Sequence, residues 1–157
     1  MVRLKGGDPG VFGRLGEELA ALRSAGIPAS VVPGITAASA CAAALHLPLT
    51  ASGRAGHCTL VTARDGAAGP DWPALAALGG TLAIYMGGAT LPAVVDGLRA
   101  GGLADTTPAA WVAEATRPAQ AGWQGTLGTL AKATTGRPEG PMLVLVGPAL
   151  AATTTAG

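Results

Sequence analysis

The sequence predicts an α/β fold, and three observations carry the prediction. Short apolar runs suited to strands alternate with segments of helical period along most of the chain. The 25 glycines and 12 prolines fall between those segments as turns instead of clustering. Hydrophobic residues are 49% of the 157 and charged residues only 12%, far from the composition of disordered chains. That length suits one globular domain or two small halves packed together. With aromatics at 3%, the core must be filled by Ala, Val, Leu and Ile.

The elements follow in order. Met1 to Lys5 alternates apolar and charged residues like a half-buried strand, and Gly6-Gly7 ends it. Asp8 is placed to cap a helix with Pro9 in its first turn, and Val11, Phe12, Leu15, Leu19 and Leu22 recur at helical spacing until Gly26. Ala29 to Val32 reads as a short strand closed by Pro33-Gly34, and Thr36 is placed to cap a small-residue helix from Ala37 to about Leu45. After the turn-like Thr50 to Gly56 come strand His57 to Thr62, helix Asp71 to Leu78, strand Thr81 to Met86 and helix Leu91 to Ala100. Pro108 to Ala113 is a strand, Ala121 to Gln124 a weak one, Thr126 to Ala133 a short helix and Met142 to Val146 a buried strand. The sheet is expected to be largely parallel in its first part, and the tail after Ala149 to fray.

Several function classes are excluded on composition. A net charge of +1 and the lack of a Lys/Arg block argue against nucleic acid and against a membrane surface. The uncharged stretch from Ser24 to Gly53 is cut by Pro28, Pro33 and Pro48 into pieces too short to span a bilayer. No apolar run of secretory type follows Met1 to Lys5, and Cys41 and Cys58 read as buried free thiols of a cytoplasmic protein without a metal.

Two strand-to-helix corners draw the functional reading. Glycines at Gly6-Gly7 permit close backbone approach beside a helix start, and Val31-Val32-Pro33-Gly34-Ile35-Thr36-Ala37-Ala38 forms a second corner. Tyr85-Met86-Gly87-Gly88 ends a third strand with a flexible apolar side chain suited to a planar ligand. Purely structural turns and a core methionine carry the same signature.

Taken together, Val2-Arg3-Leu4-Lys5-Gly6-Gly7-Asp8-Pro9, Phe12-Gly13-Arg14, Glu17-Glu18, the second corner and Tyr85-Met86-Gly87 closely resemble the uroporphyrinogen-III C-methyltransferases, within the tetrapyrrole methylase family. The resemblance runs from Val2 to about Val146, taking in Pro48-Leu49-Thr50, Gly125-Thr126-Leu127 and Leu143 to Gly147. It implies a two-lobed fold with S-adenosylmethionine held between lobes, two methyl transfers to a tetrapyrrole giving precorrin-2 for sirohaem or cobalamin, and a homodimer. Carried over by position, it places cofactor contacts at Gly6, Gly7, Asp8, Val11, Thr36, Ala37, Met86 and Ala115. The family pattern starts earlier, with a further strand and glycine loop, so the resemblance implies an amino-terminally truncated member. The lobe remnant is then 1–50, the second lobe 51–149 and the tail 150–157, and the family's acid/base residues belong to the absent stretch. Thr50-Ala51-Ser52 and Val61-Thr62-Ala63-Arg64 depart from the family's Thr-His-Arg and Val-Thr-Gly-His.

Among the remaining polar residues, Arg14 sits near a helix start, where a cation is unfavourable, so it is either a ligand for a substrate carboxylate or the partner of Glu17 or Glu18. Arg3, Lys5, Glu17 and Glu18 read as solvated faces, Asp8 as a helix cap first, and His46 and His57 as isolated. Two functions stay open: a methyltransferase impaired by truncation, or an inactive α/β remnant that binds a ligand or docks to a partner.

Overall fold

The computed structural model describes residues 1–64 and 69–151. Its strands are β1 (Cys58–Thr62), β2 (Thr81–Tyr85), β3 (Pro108–Ala113), β4 (Ala121–Thr126) and β5 (Met142–Val146), and its helices α1 (Leu15–Ser24), α2 (Ala37–Ala44), α3 (Trp72–Ala77), α4 (Leu91–Ala100) and α5 (Leu127–Leu130). The strands form one sheet in the order β1-β2-β5-β3-β4. The expectation of a parallel first part holds for the pair found there, β1 and β2, whereas the pairings made by the later strands, β2–β5, β3–β5 and β3–β4, are antiparallel.

The expected strands at Met1 to Lys5 and Ala29 to Val32 are corrected, for neither segment is a strand in the structure. A strand is defined by its neighbour's hydrogen bonds, and among the described residues no backbone bond joins either segment to another strand. Their apolar side chains stand in solvent, Val2 83%, Leu4 91% and Val32 81% exposed.

The pleat sends alternate residues to two cores. Leu82 and Ile84 of β2, Trp111 of β3 and Val144 of β5 meet α4 and α5 on one face, where Leu91, Val94, Val95 and Leu98 of α4 are at most 2% exposed. Each of those four aliphatic side chains contributes about 1.5–3 kcal/mol by burial. Ala83, Ala110, Val112, Leu143 and Leu145 face the other way, against Ala38, Cys41 and Ala42 of α2. The small side chains of α2 let its backbone lie close to the sheet. At the helix end the Leu45 carbonyl accepts from Gln124 Nε2 at 3.1 Å, and Gly122 leaves the space that Leu45 fills.

The first helix begins at Leu15 and not near Pro9, because Phe12 and Arg14 adopt left-handed backbone (φ 50° and 57°) that breaks the helical path. It buries no residue in the core. Glu18 instead ties it to the opening segment, accepting from Arg3 Nε at 2.8 Å and Lys5 Nζ at 2.7 Å, so these three are ion-pair partners and not merely solvated faces. Asp71 caps α3 by accepting from the Ala74 N–H at 3.0 Å. At the end of the chain Ala149 and Leu150 are packed, so fraying does not begin there; the expectation for the tail beyond Ala151 lies outside the described residues.

Candidate functional site

Strand directions bring three chain corners to one end of the sheet. Since β3 and β2 are each antiparallel to β5, they run the same way, and Tyr85 and Val112 both pair with Leu143. Met86 and Ala115, just beyond those strands, therefore lie at the same carboxyl end, where ligands of open α/β sheets collect. Ala115 packs in the same apolar cluster as Ala37 and Tyr85.

Asp8 fastens the first corner to the second. Its carboxylate accepts from the Gly10 N–H at 2.8 Å through Oδ1 and from the Gly34 N–H at 3.0 Å through Oδ2. The expectation that Asp8 caps a helix is thereby corrected: it closes its own turn and clamps Pro33-Gly34. The approach is tight enough to require glycine at Gly34, where a Cβ would collide with the Gly7 carbonyl oxygen. Gly7 itself takes φ 74° beside the Ile35 carbonyl and the Ala37 nitrogen, so Gly7, Asp8, Thr36 and Ala37 form one continuous wall. Val11 closes the first loop, its N–H donating to the Asp8 carbonyl at 3.2 Å. At Gly6 the surroundings differ: an added Cβ would meet nothing within 4 Å.

Tyr85 fastens the third corner to the other two. Its hydroxyl lies 2.5 Å from Thr36 Oγ1 and accepts from the Ala38 N–H at 3.0 Å. Its ring packs on Phe12 with centroids 4.8 Å apart and planes tilted by 55°, a favourable aromatic arrangement. Next to it, Met86 takes left-handed backbone (φ 57°) and remains 43% exposed, as does Phe12. The chain holds one tyrosine and one phenylalanine, and both are at this site. In the sequence Phe12 reads as one of a row at helical spacing and Tyr85 as the end of a strand, with no role at the site for either side chain; a lone tyrosine ending an apolar strand is the available signal for a hydroxyl with a task.

Arg14 lines a shallow groove of about 610 Å³ beside this wall, shared with Gly6 and Phe12 and bordered also by Arg3 and Lys5. It pairs with Glu17, Nε lying 3.0 Å from both carboxylate oxygens and Nη2 also bonded. That contact holds Glu17 below the usual carboxyl range and keeps Arg14 firmly protonated, while the Lys5 hydrogen bond, helped by Arg3, holds Glu18 down. Of the two alternatives for Arg14, the carboxylate partner is thus present within the chain, in an exposed pair that salt and competing anions loosen easily.

Acid/base groups are scarce at the wall. Both Asp8 oxygens accept backbone N–H groups and the Tyr85 hydroxyl is engaged twice. His57 lies against Gly80 at the other end of the sheet, and His46 is exposed just past α2. Cys41 is buried, and burial pushes its thiol up to about 11; Cys58 is half-buried and raised by the same cause. Among the described residues no cluster of three His, Cys, Asp or Glu side chains gathers, and no helix is long and apolar enough to cross a membrane.

Comparison with known proteins gives a consistent result. The sequence profile of the Tetrapyrrole (Corrin/Porphyrin) Methylases matches residues 1–131. The chain is similar to a siroheme synthase of Gluconacetobacter diazotrophicus, 49% identical over 151 residues that cover 94% of this chain and 32% of that protein. It is 48% identical to siroheme synthase 1 of Aeromonas hydrophila, with the same shares covered. It thus spans about a third of the length of these curated relatives. Among solved structures, uroporphyrin-III C-methyltransferase of Thermus thermophilus in complex with S-adenosylhomocysteine superposes with a TM-score of 0.80 at 34% identity, covering 94% of this chain and 65% of that one. A cobalt precorrin-4 methyltransferase superposes at 0.82 with 29% identity, over 92% and 62%.

Proposed function

The chain belongs to the tetrapyrrole methylase family, and from that membership we propose that it is the cofactor-facing part of a uroporphyrinogen-III C-methyltransferase serving sirohaem or cobalamin biosynthesis. The observation that carries this reading is the convergence of the Gly6–Asp8 loop, the Thr36–Ala38 corner and the Tyr85–Met86 strand end on one wall. The residues present fit S-adenosylmethionine. An adenosine-bearing ligand asks for backbone donors and acceptors and for apolar surface more than for charge. Gly6 offers open space over its Cα, Gly7 and Ala37 offer backbone, Thr36 a hydroxyl, and Met86 an exposed thioether chain. When bound, S-adenosylmethionine supplies an activated methyl group. The chain's own contribution is to hold it, through Gly6, Gly7, Asp8 and Val11 on one side, Thr36 and Ala37 on the second, and Met86 and Ala115 on the third. Arg14 exchanges its exposed Glu17 partner for a carboxylate of the tetrapyrrole, a substrate rich in such groups.

Residues 1–50 belong on this reading to the amino-terminal lobe and 51–149 to the second lobe, with 150–157 a tail, in a cytoplasmic protein that pairs as a homodimer. A narrower reading for the chain by itself has an observation in its favour: among the described residues, the Asp8 carboxylate and the Tyr85 hydroxyl at the wall are already committed as acceptors to backbone N–H groups. Proton removal and alignment are each worth about two or more powers of ten in rate. The chain is therefore a cofactor binder whose methyl transfer is impaired. Titration calorimetry with S-adenosylhomocysteine tests the binding, and sirohydrochlorin formation from uroporphyrinogen III after oxidation tests the turnover. Saturable heat with slow or no turnover is expected. Absence of heat at millimolar ligand would remove the site, and robust turnover would remove the impairment.

A further inference from the structure

Every helix begins with N–H groups that have no partner within the helix, and a threonine in the position of Thr36 ordinarily accepts one of them with its own hydroxyl. In α2 it does not: Thr36 has extended backbone, makes no side-chain cap bond, and turns Oγ1 toward Tyr85 at 2.5 Å. The orphan N–H of Ala38 is taken instead by the Tyr85 hydroxyl at 3.0 Å, from a residue 47 positions away on another strand. Because a phenol oxygen that accepts from an amide still has its own proton to give, this arrangement caps the helix and satisfies only part of the capacity of the Thr36 hydroxyl. The same ring supports Phe12 of the first loop. Tyr85 thus touches all three corners of the wall while lying on the strand that carries Met86.

We propose that Tyr85 is a positioning residue of the cofactor site, capping α2 in place of Thr36 so that the threonine hydroxyl is released for the ligand, and keeping the Gly6–Asp8 loop in register with Met86 through Phe12. The inference rests on the cofactor reading above, but its structural half can be measured without any ligand. Tyr85→Phe keeps the ring and the Phe12 contact and removes only the hydroxyl; Tyr85→Leu removes both.

Three measurements on the full 157-residue chain decide the matter. Amide hydrogen exchange by NMR reads the cap directly, since Ala38 has no helical acceptor and owes its protection to Tyr85. Its exchange is expected to speed up by about tenfold or more in Tyr85→Phe, while Ala40, bonded to the Thr36 carbonyl at 3.1 Å, changes little. Calorimetry with S-adenosylhomocysteine reads the consequence: about tenfold weaker binding for Tyr85→Phe, of the order of one hydrogen bond, and a further loss for Tyr85→Leu. Labelling the ring of the single tyrosine gives a signature that unfolding does not mimic, because its signals are expected to shift when S-adenosylhomocysteine binds to folded protein. Unchanged Ala38 exchange in Tyr85→Phe overturns the cap. Equal affinity of Tyr85→Phe and the parent overturns the positioning role. A parent that binds no S-adenosylhomocysteine while Ala38 depends on Tyr85 overturns the cofactor reading and the release of Thr36 for that ligand, and leaves the cap established.

Discussion

Alanine at Gly6 and alanine at Gly34 should have opposite signatures, because the two glycines serve the site differently. A Cβ at Gly34 lies 3.1 Å from the Gly7 carbonyl carbon and 3.4 Å from the Asp8 Cα, and it collides with the Gly7 oxygen. These are backbone atoms that cannot rotate away, so the two corners must part. Overpacking of this kind costs about 1–3 kcal/mol, of which the smaller unfolded-state entropy of alanine returns about 0.4–1 kcal/mol. A net loss of roughly 1–2 kcal/mol lowers the melting temperature of a domain of this size by about 2–8 °C. It also pulls Gly34 away from Asp8 and weakens S-adenosylhomocysteine by about tenfold or more. At Gly6 an alanine meets nothing within 4 Å and φ is not in the left-handed region. Its melting temperature should stay the same or rise slightly, yet its methyl group fills the space assigned to the ligand, and affinity should fall by a similar factor. Differential scanning calorimetry and titration calorimetry on both variants separate the effects. If Gly6→Ala binds as tightly as the parent, the ligand does not occupy that space, and the wall has been assigned wrongly.

Arg14→Ala should leave S-adenosylhomocysteine affinity within about twofold, since an exposed ion pair contributes little, while weakening uroporphyrin III measured by absorbance titration; equal uroporphyrin binding would return Arg14 to a surface pair with Glu17. Because Glu17 and Glu18 are held below the usual 4.5 by Arg14 and by Lys5, their contribution to stability is present above that pH and disappears as pH falls through their lowered values. Melting temperature should decline below about pH 4.5, less steeply in Glu18→Gln and at high salt. Iodoacetamide at pH 8 should modify Cys58 before Cys41, whose thiol, raised to about 11, is ionised to roughly one part in a thousand; equal rates by mass spectrometry in the folded protein would contradict the burial of α2 against the sheet.

Much of the second half was legible because its strands are both periodic and paired. Leu91 to Ala100, Pro108 to Ala113 and Met142 to Val146 were bounded correctly from Gly, Pro and apolar runs alone. The direction of β5 was not legible, since its residues look alike whether their neighbour is parallel or antiparallel. The first half misled for a different reason: Met1 to Lys5 has the residues of a strand, but pairing is a property of what lies beside a segment. The candidate site shows the same division. Its glycines were visible as corners, but the close approach expected at Gly6-Gly7 falls on Gly7 and on Gly34, which the sequence offered only as a turn residue, and not on Gly6. The clamp from Asp8 to Gly34 and the cap from Tyr85 to Ala38 span 26 and 47 residues, and no local pattern encodes either.

Backbone amide shifts of the isotope-labelled chain during titration with S-adenosylhomocysteine test the central assignment most directly. The sheet offers the ligand two ends: the wall of Gly6, Gly7, Thr36, Ala37, Met86 and Ala115, and an apolar cavity of about 380 Å³ at the far end, bordered by Leu75, Gly80, Leu103 and Gly147. Saturable shifts at Gly6, Gly7, Thr36, Ala37, Met86 and Ala115, with Leu75, Gly80, Leu103 and Gly147 unmoved, are the predicted result. Shifts confined to the far cavity, or none at millimolar ligand, would contradict the account.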